Sequence, residues 1–340
     1  MHAIRLHAFG PAENLTYEET PDPVPGPNQV RVRVAAAGVH LLDTALRAGM
    51  TGPFPAPAAL PTVPGREVAG TVDALGEGTD PAWLGRRVVA HLGMAPGGYA
   101  ELAVTDATRL HALPDHLGEA EAVAMIGTGR TTLGILQFTD LGPDSVAIVP
   151  AAAGGIGTLL VQYAKNAGAT VIGLAGGPAK VARVQENGAD LAVDYTEPDW
   201  PEKVRAHLDG RAATVVFDSV GGAAGRAAVD LLGPGGQHLV FGWSGAGLHD
   251  GEPLTYTPEE LAARGITSES VLGPVMIRKA GGDVRALELA ALAAASAGTL
   301  RPAVHRFPLA DAADAHRALE TRGTTGKVVL VPRGALGDPA

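Results

Sequence analysis

The 340-residue chain contains no cysteine, which excludes disulfides, iron–sulfur clusters, thiolate zinc sites and any cysteine nucleophile. It has no run of lysine and arginine either: 26 basic against 36 acidic residues give a formal charge of −10. A surface of that sign repels nucleic acid and anionic lipid, so neither is expected as a partner. The N-terminus, MHAIRLHAFGPAENLTYEET, lacks the basic start, apolar stretch and small-residue cleavage site of a secretory signal, and a cytoplasmic location is expected. The only long uncharged run, residues 145–164, contains Pro150 and three glycines and changes pattern midway, so no membrane span is expected.

Glycine (46) and proline (26) together make about one residue in five, without the strict period of a collagen-like repeat. With 46% hydrophobic and only 18% charged residues, the chain has ample apolar surface for a compact fold. At this length two domains are the default. Residues 1 to about 120 show short alternating runs, VRVRVAAAGV (30–39), VAGTVDALG (68–76) and RRVVAHLG (86–93), between Gly/Pro turns, the pattern of a small irregular barrel. The proline-rich stretch 52–65 is expected to be a mobile or substrate-covering loop. From about Glu119 helical stretches alternate with apolar strands: SVAIVP (145–150), ATVIGLA (169–175), ADLAVDY (189–195), ATVVFDSV (213–220) and GGQHLVFG (235–242). That alternation predicts a doubly wound parallel sheet. An Ala-rich helix (283–297), a second helix (311–321) and a strand (326–332) close the chain.

The strand SVAIVP runs into AAAGGIG (151–157), then into a helix whose apolar face is formed by Ile156, Leu159, Leu160, Tyr163, Ala164 and Ala167. A glycine-rich strand-to-helix turn lets backbone N–H groups approach a pyrophosphate at the positive end of a helix. Gly154 and Gly157 occupy the second and third glycine positions of the dinucleotide fingerprint, with Ala152 at the first. Such a turn alone can be merely tight; strand, turn, amphipathic helix and next strand in order favour nucleotide binding. NAD sites normally carry an acid about 20 residues on, for the ribose 2′-hydroxyl. Here no acidic residue occurs between Asp144 and Glu186, and Lys180 and Arg183 follow the second strand. A lone lysine reads as a solvated helix residue, but with the acid missing Lys180 is expected on the 2′-phosphate of NADP.

Taken together, AAGVHLLDTALRAG (36–49), LPTVPGREVAGTVDALGEG (60–78), GRRVVAHLG and GGYAELAV (85–104), GTGRTTLGIL (127–136), AAAGGIGTLLVQYAKNAGATVIG (151–173), DSVGG (218–222) and FPLADAADAHRALETRGTTGKVVLVP (307–332) resemble the zinc-independent medium-chain dehydrogenases/reductases of the NADPH:quinone oxidoreductase family. The resemblance implies an α/β fold: a Rossmann-type NADP-binding domain (123–272) and a GroES-like irregular β-barrel catalytic domain from both chain ends (1–122 and 273–340). It further implies a homodimer joined through the cofactor domains. NADP(H) would be held by Ala152, Gly154, Gly155, Ile156, Gly157 and Gly176, by Lys180 and Tyr195 on the 2′-phosphate, by Ser219, Val220, Phe241, Gly242 and Ser244, and by Lys327. Where alcohol dehydrogenases of the superfamily place a zinc-binding cysteine this chain has His40, and where they place the histidine of a GHE triplet it has Arg66, so no metal is expected. Quinone reductases usually have asparagine at the His40 position and often a tyrosine at that of Ala45, which suggests an enlarged acceptor pocket here. His40 is either a proton donor or a polar residue lining the cleft. Thr131 matches a threonine beside the nicotinamide, or is structural. Asp43 and Glu67 are expected to be structural. The acceptor implied is a small-molecule quinone or conjugated enone; an enoyl-thioester reductase and a non-catalytic NADPH-binding protein are the alternatives.

Overall fold

A computed structural model describes residues 1–51, 56–246 and 251–334. By contact the chain divides into two compact units, Met1–Thr128 with Pro302–Ala340, and Gly129–Arg301. The chain begins in the first unit with β1 (His2–Leu6), β2 (Leu15–Glu19), β3 (Gln29–Val39), α1 (Leu41–Arg47), β4 (Glu67–Leu75), β5 (Arg87–His91), β6 (Leu102–Asp106), β7 (His111–Ala112) and α2 (Glu119–Ala124). A π-helical turn, Met125–Gly129, leads to the second unit: α3 (Arg130–Leu136), β8 (Val146–Val149), α4 (Gly155–Asn166), β9 (Thr170–Ala175), α5 (Pro178–Glu186), β10 (Leu191–Asp194), α6 (Trp200–Leu208), β11 (Ala213–Asp218), α7 (Gly222–Val229), β12 (Leu232–Val240), α8 (Pro258–Arg264), β13 (Thr267–Ser270), α9 (Pro274–Lys279) and α10 (Val284–Ser296). It then returns to the first unit with β14 (Val304–Pro308), α11 (Ala312–Glu320) and β15 (Lys327–Val331).

In the first unit β3 alternates as a half-buried strand should, with Val30, Val32 and Val34 inside and Arg31 and Arg33 turned outward. It is the centre of a curved sheet ordered β14–β15–β3–β4–β5–β7, with β6 also paired to β3. Register slips along the β3–β4 pair mark bulges that bend the sheet. Tyr99, Ile4 and Leu110 are among the large side chains sealed in this core. Of the proline-rich stretch, residues 52–55 lie outside the described residues, and Thr62 is bridged to Leu6 of β1 in both directions.

The second unit is the expected α/β layer structure. Its strands run β10–β9–β8–β11–β12–β13, all parallel. β8 is buried at every residue and β9 at all but the first, so the apolar runs seen in sequence are those of strands covered on both faces. Strand order reverses between β8 and β11, the switch point at which such sheets bind nucleotides beyond their carboxyl ends.

The contact units differ from the sequence boundaries of 122/123 and 272/273. α2 packs on β3, β4 and β5 and stays with the first unit, whereas α9 and α10 pack on α3 and stay with the second. Local sequence grammar marks where helices begin to alternate with strands, not which sheet they cover. On α4, Leu159, Leu160, Val161 and Ala164 form the buried face, but Tyr163 is 39% exposed. No helix among the described residues is long and apolar enough to cross a membrane.

Candidate active site

The glycine-rich turn occupies the carboxyl end of β8. Ala151 takes a left-handed φ of 51°, Ala152 donates its N–H to Leu174 O at 2.9 Å, and Gly154 opens α4 with extended backbone. No side chain caps α4, so the first helical N–H groups, those of Gly155, Ile156 and Gly157, have no partner within the helix. Gly154, Gly155 and Ile156 are half-buried. These are the elements of an anion cradle: helical N–H donors without an intrahelical partner at a positive helix end, with no capping side chain from Gly154. Gly157 is needed for a different reason. A Cβ there would lie 2.4 Å from Ala151 O and 2.7 Å from Ala152 Cα, so only glycine lets the helix close on the turn. Ala152 is tolerated at the first fingerprint position because Gly173 faces it: a Cβ on Gly173 would come within 3.2 Å of the Ala152 methyl.

Gly176 follows β9 and Tyr195 follows β10, at the same carboxyl edge; a Cβ on Gly176 would stand 3.7 Å from the Tyr195 hydroxyl. Lys180 lies in the first turn of α5 and is half-buried. The acid-free stretch has an outside neighbour that the sequence argument missed. Asp194, ending β10, accepts the Gly177 N–H (2.9 Å) together with the Thr196 N–H (2.9 Å) and hydroxyl (2.6 Å). These bonds hold its carboxyl below the usual range, and the carboxylate secures the turn between β9 and α5.

Ser219 and Val220 follow β11; Phe241, Gly242 and Ser244 follow β12. Three backbone bonds stitch these turns together: Phe241 N to Asp218 O (2.8 Å), Ser244 N to Ser219 O (3.1 Å) and Gly245 N to Val220 O (2.7 Å). Val220 and Phe241 are 5% and 7% exposed, so they present backbone rather than side chain. Behind the turn lies a buried network not singled out in the sequence. The Asp218 carboxylate accepts the Val220 and Gly221 N–H groups, both at 2.9 Å, and His238 Nε2–H at 3.1 Å. With Nε2 donating, His238 Nδ1 accepts the Ser268 hydroxyl at 2.8 Å.

The other cluster lies in the first unit. His40 begins α1 with Nε2 turned inward, 2.5 Å from Glu67 Oε1 and 2.8 Å from Lys327 Nζ. Lys327 Nζ is also 2.9 Å from Glu67 Oε2. Glu67 is 0% and Lys327 4% exposed, while the His40 side chain keeps 29%. Two glycines make room for the carboxylate. A Cβ at Gly127 would lie 1.6 Å from Glu67 Oε1, and one at Gly38 2.3 Å from Oε2. Burial alone would raise the Glu67 pKa, but the charges of His40 and Lys327 hold it well below the carboxylate range. Burial lowers that of Lys327 against the pull of Glu67. Lys327, expected at the cofactor, therefore has its ammonium committed to His40 and Glu67 inside the unit. This donor set does not fit zinc: no cysteine is available, Arg66 replaces the histidine of the triplet, and both remaining candidates already hold a cation. No group of three metal-binding side chains converges among the described residues.

Asp43 fixes this corner. It accepts the His40 backbone N–H (2.8 Å) and the Tyr99 hydroxyl (3.1 Å), and lies 3.5 Å from Arg66 Nη2. The single Tyr99 proton goes to Asp43, so the 3.2 Å contact with His316 Nε2 is made by His316 donating. Ala45, expected beside an enlarged pocket, is 4% exposed. An alanine bordering an acceptor-sized void would be open to solvent, so the enlargement inferred from the missing phenol is not found at this position. Thr131 is a half-buried residue of α3, in the second unit. Residues 247–250, shortly after Ser244, lie outside the described residues.

Comparison with known proteins follows the same division. Residues 155–280 match the family profile described as zinc-binding dehydrogenase, and residues 26–115 that of the alcohol dehydrogenase GroES-like domain. The chain is similar to a quinone oxidoreductase of Pseudomonas aeruginosa, 34% identical over 97% of this chain and 99% of that protein. It is 32% identical to a 2-haloacrylate reductase of a Burkholderia species, again over 97% and 99%. Its fold is similar to the crystal structure of Escherichia coli quinone oxidoreductase complexed with NADPH, with a TM-score of 0.82 and 28% identity over 98% of this chain and all of that one.

Proposed function

We infer that this chain, which belongs to the quinone oxidoreductase family of the medium-chain dehydrogenases/reductases, reduces a small quinone or conjugated enone with NADPH and without zinc. The observation that carries the reading is the uncapped start of α4 beneath the glycine-rich turn, combined with a β9 end that carries no acid of its own, the Asp194 carboxylate beside it being taken up by the Gly177 and Thr196 donors, and with Lys180 on the following helix. Bound there, NADPH supplies a hydride at its nicotinamide ring. The protein's share of the chemistry is binding and orientation. The Gly155, Ile156 and Gly157 N–H groups would meet the pyrophosphate, Lys180, Gly176 and Tyr195 the 2′-phosphate, and the stitched turns at 219–220 and 241–244 would fix the nicotinamide end. Thr131 is proposed to border the nicotinamide, and His40 to face the acceptor oxygen, where a hydrogen bond polarises the carbonyl and supports the charge that hydride addition creates.

Zinc independence rests on the His40–Glu67–Lys327 cluster, in which a lysine ammonium supplies the positive charge between the two candidate ligands. The acidic surface agrees with a small-molecule substrate in the cytoplasm rather than nucleic acid or membrane, and a homodimer through the cofactor units is the proposed assembly. The test is NADPH oxidation against a panel of quinones, enones and enoyl thioesters. Turnover with quinones or enones supports the reading. Turnover of thioesters alone would make the protein an enoyl-thioester reductase, and tight NADPH binding with no turnover would make it a binding protein.

A further inference from the structure

We propose that Asp218 is a positioning residue for the cofactor: its buried carboxylate sets the turn 219–221 that receives the nicotinamide end, with His238 and Ser268 as its support. This deepens the cofactor reading above and rests on it.

The turn is held from two sides. Its peptide groups 219–220 and 220–221 are trans, so in each the N–H and the C=O point in opposite directions. Both N–H groups point at Asp218 Oδ1, to which Val220 N and Gly221 N donate at 2.9 Å. The opposite ends are taken by the turn after β12. Ser219 O accepts the Ser244 N–H at 3.1 Å and its hydroxyl at 3.2 Å, and Val220 O accepts the Gly245 N–H at 2.7 Å. Neither peptide can rotate without breaking bonds on both sides. Gly225 of α7 makes room for the carboxylate, since a Cβ there would lie 2.8 Å from Asp218 Oδ2.

Asp218 is 0% exposed, a costly place for a charge unless donors surround it. Besides the two backbone N–H groups it has His238 Nε2–H, 3.1 Å from Oδ2, while His238 Nδ1 accepts the Ser268 hydroxyl at 2.8 Å. The Tyr256 ring meets the imidazole edge-on, centroids 5.9 Å apart, and packs it in place. The series thus runs from the edge strand β13 through β12 to the end of β11. Serine, histidine and aspartate in series are also the members of a nucleophilic triad. Here the imidazole is 0% exposed and the carboxylate spends two bonds on backbone, so the series orients rather than reacts. Without the carboxylate, two buried N–H groups would lose their acceptor and the turn would have to move to satisfy them. The cradle at the start of α4 and Lys180 on α5 follow other strands and keep their own bonds.

Two ligands separate this role from a general structural one: NADPH spans the whole site, whereas 2′-phospho-AMP carries only the adenine end. In Asp218→Ala, NADPH affinity read by fluorescence should fall about 10- to 30-fold, the equivalent of one to two hydrogen bonds, with 2′-phospho-AMP affinity unchanged by calorimetry. Equal losses for both ligands, or no loss for NADPH, would overturn the proposal. Asp218→Asn is the rescue. Its amide oxygen accepts the same two N–H groups, its NH₂ faces His238, and the imidazole proton moves to Nδ1 to donate to Ser268. NADPH affinity should return to within about threefold of wild type, with ¹⁵N-labelled His238 protonated at Nε2 in the wild type and at Nδ1 in this variant. An Asn variant as weak as the Ala variant, or a wild-type His238 bare at Nε2, would overturn the proposal as well. If Asp218→Ala does not fold, Ser268→Ala at the far end of the series takes its place, with an NADPH loss of about threefold and none for 2′-phospho-AMP; NADPH affinity equal to wild type would then overturn it. A wild-type protein that binds neither ligand would instead refute the cofactor reading.

Discussion

His316 gives the protein a built-in acid sensitivity that one substitution should remove. The ring is 0% exposed, donates from Nε2 to Tyr99, and leaves Nδ1 buried without a partner among the described residues. Adding a proton there would create an unsolvated cation, and burial accordingly lowers its pKa from 6.5 to about 4, with Asp43 pulling it up and Arg47 pushing it down. Below pH 6.5 the unfolded chain therefore binds this proton before the folded chain does. The stability associated with neutral His316 is complete above 6.5 and drains away as the pH falls to about 4. At about 1.4 kcal/mol per pH unit, the loss amounts to about 3 kcal/mol. His316→Gln retains an N–H donor for Tyr99 but does not titrate. At neutral pH it should cost only about 1 kcal/mol, the order of one altered hydrogen bond. Urea unfolding of both proteins, from about pH 7.5 to about pH 4.5, should show the wild type losing its advantage and then falling below the variant. Parallel curves over that range would refute the assignment of a buried, neutral Nε2–H imidazole.

Lys180→Ala should lower the preference for NADPH over NADH by about 10- to 150-fold, the equivalent of a charged hydrogen bond worth about 1.5 to 3 kcal/mol; titration of both cofactors measures it, and an unchanged ratio would remove Lys180 from the phosphate site. Gly127→Ala puts a methyl where Glu67 Oε1 now lies, 1.6 Å away, and should destabilise the protein by about 3 to 5 kcal/mol as the buried ion pair is forced apart. A melting temperature equal to wild type would contradict the packing described. Elemental analysis should find no stoichiometric zinc, and chelators should leave turnover unchanged; zinc with chelator-sensitive activity would show that His40 and Glu67 act as ligands.

Much of the fold was legible because the central strands are short and buried on both faces. SVAIVP, ATVIGLA and ATVVFDSV fall on β8, β9 and β11 with ends trimmed by one or two residues, and the turn into α4 stands where the glycines put it. The domain boundaries were less legible, since the helices at both junctions reveal their owner only by the sheet or helix on which they pack. Side-chain networks were the least legible part. Asp43, Tyr99 and His316 meet across more than 200 residues, and Asp218 reaches His238 and Ser268 through parallel strand pairing. Neither set has a local spacing that could betray it. The contacts of Lys327 were illegible for the same reason: only β15 beside β3, with Glu67 on the neighbouring β4, brings it to His40. Asp194 escaped because the search for an acid followed the second strand, whereas the third strand delivers it.

Direct hydride delivery from NADPH to a conjugated acceptor can be followed by isotope. NADPH deuterated at one or the other face of nicotinamide C4 is supplied with an enone, and the product is examined by mass spectrometry and NMR. One of the two labels, and not the other, is expected on the product carbon β to the carbonyl, while the proton acquired elsewhere comes from solvent. Label lost to water from both, or an enone recovered unreduced beside every acceptor tried, would contradict it.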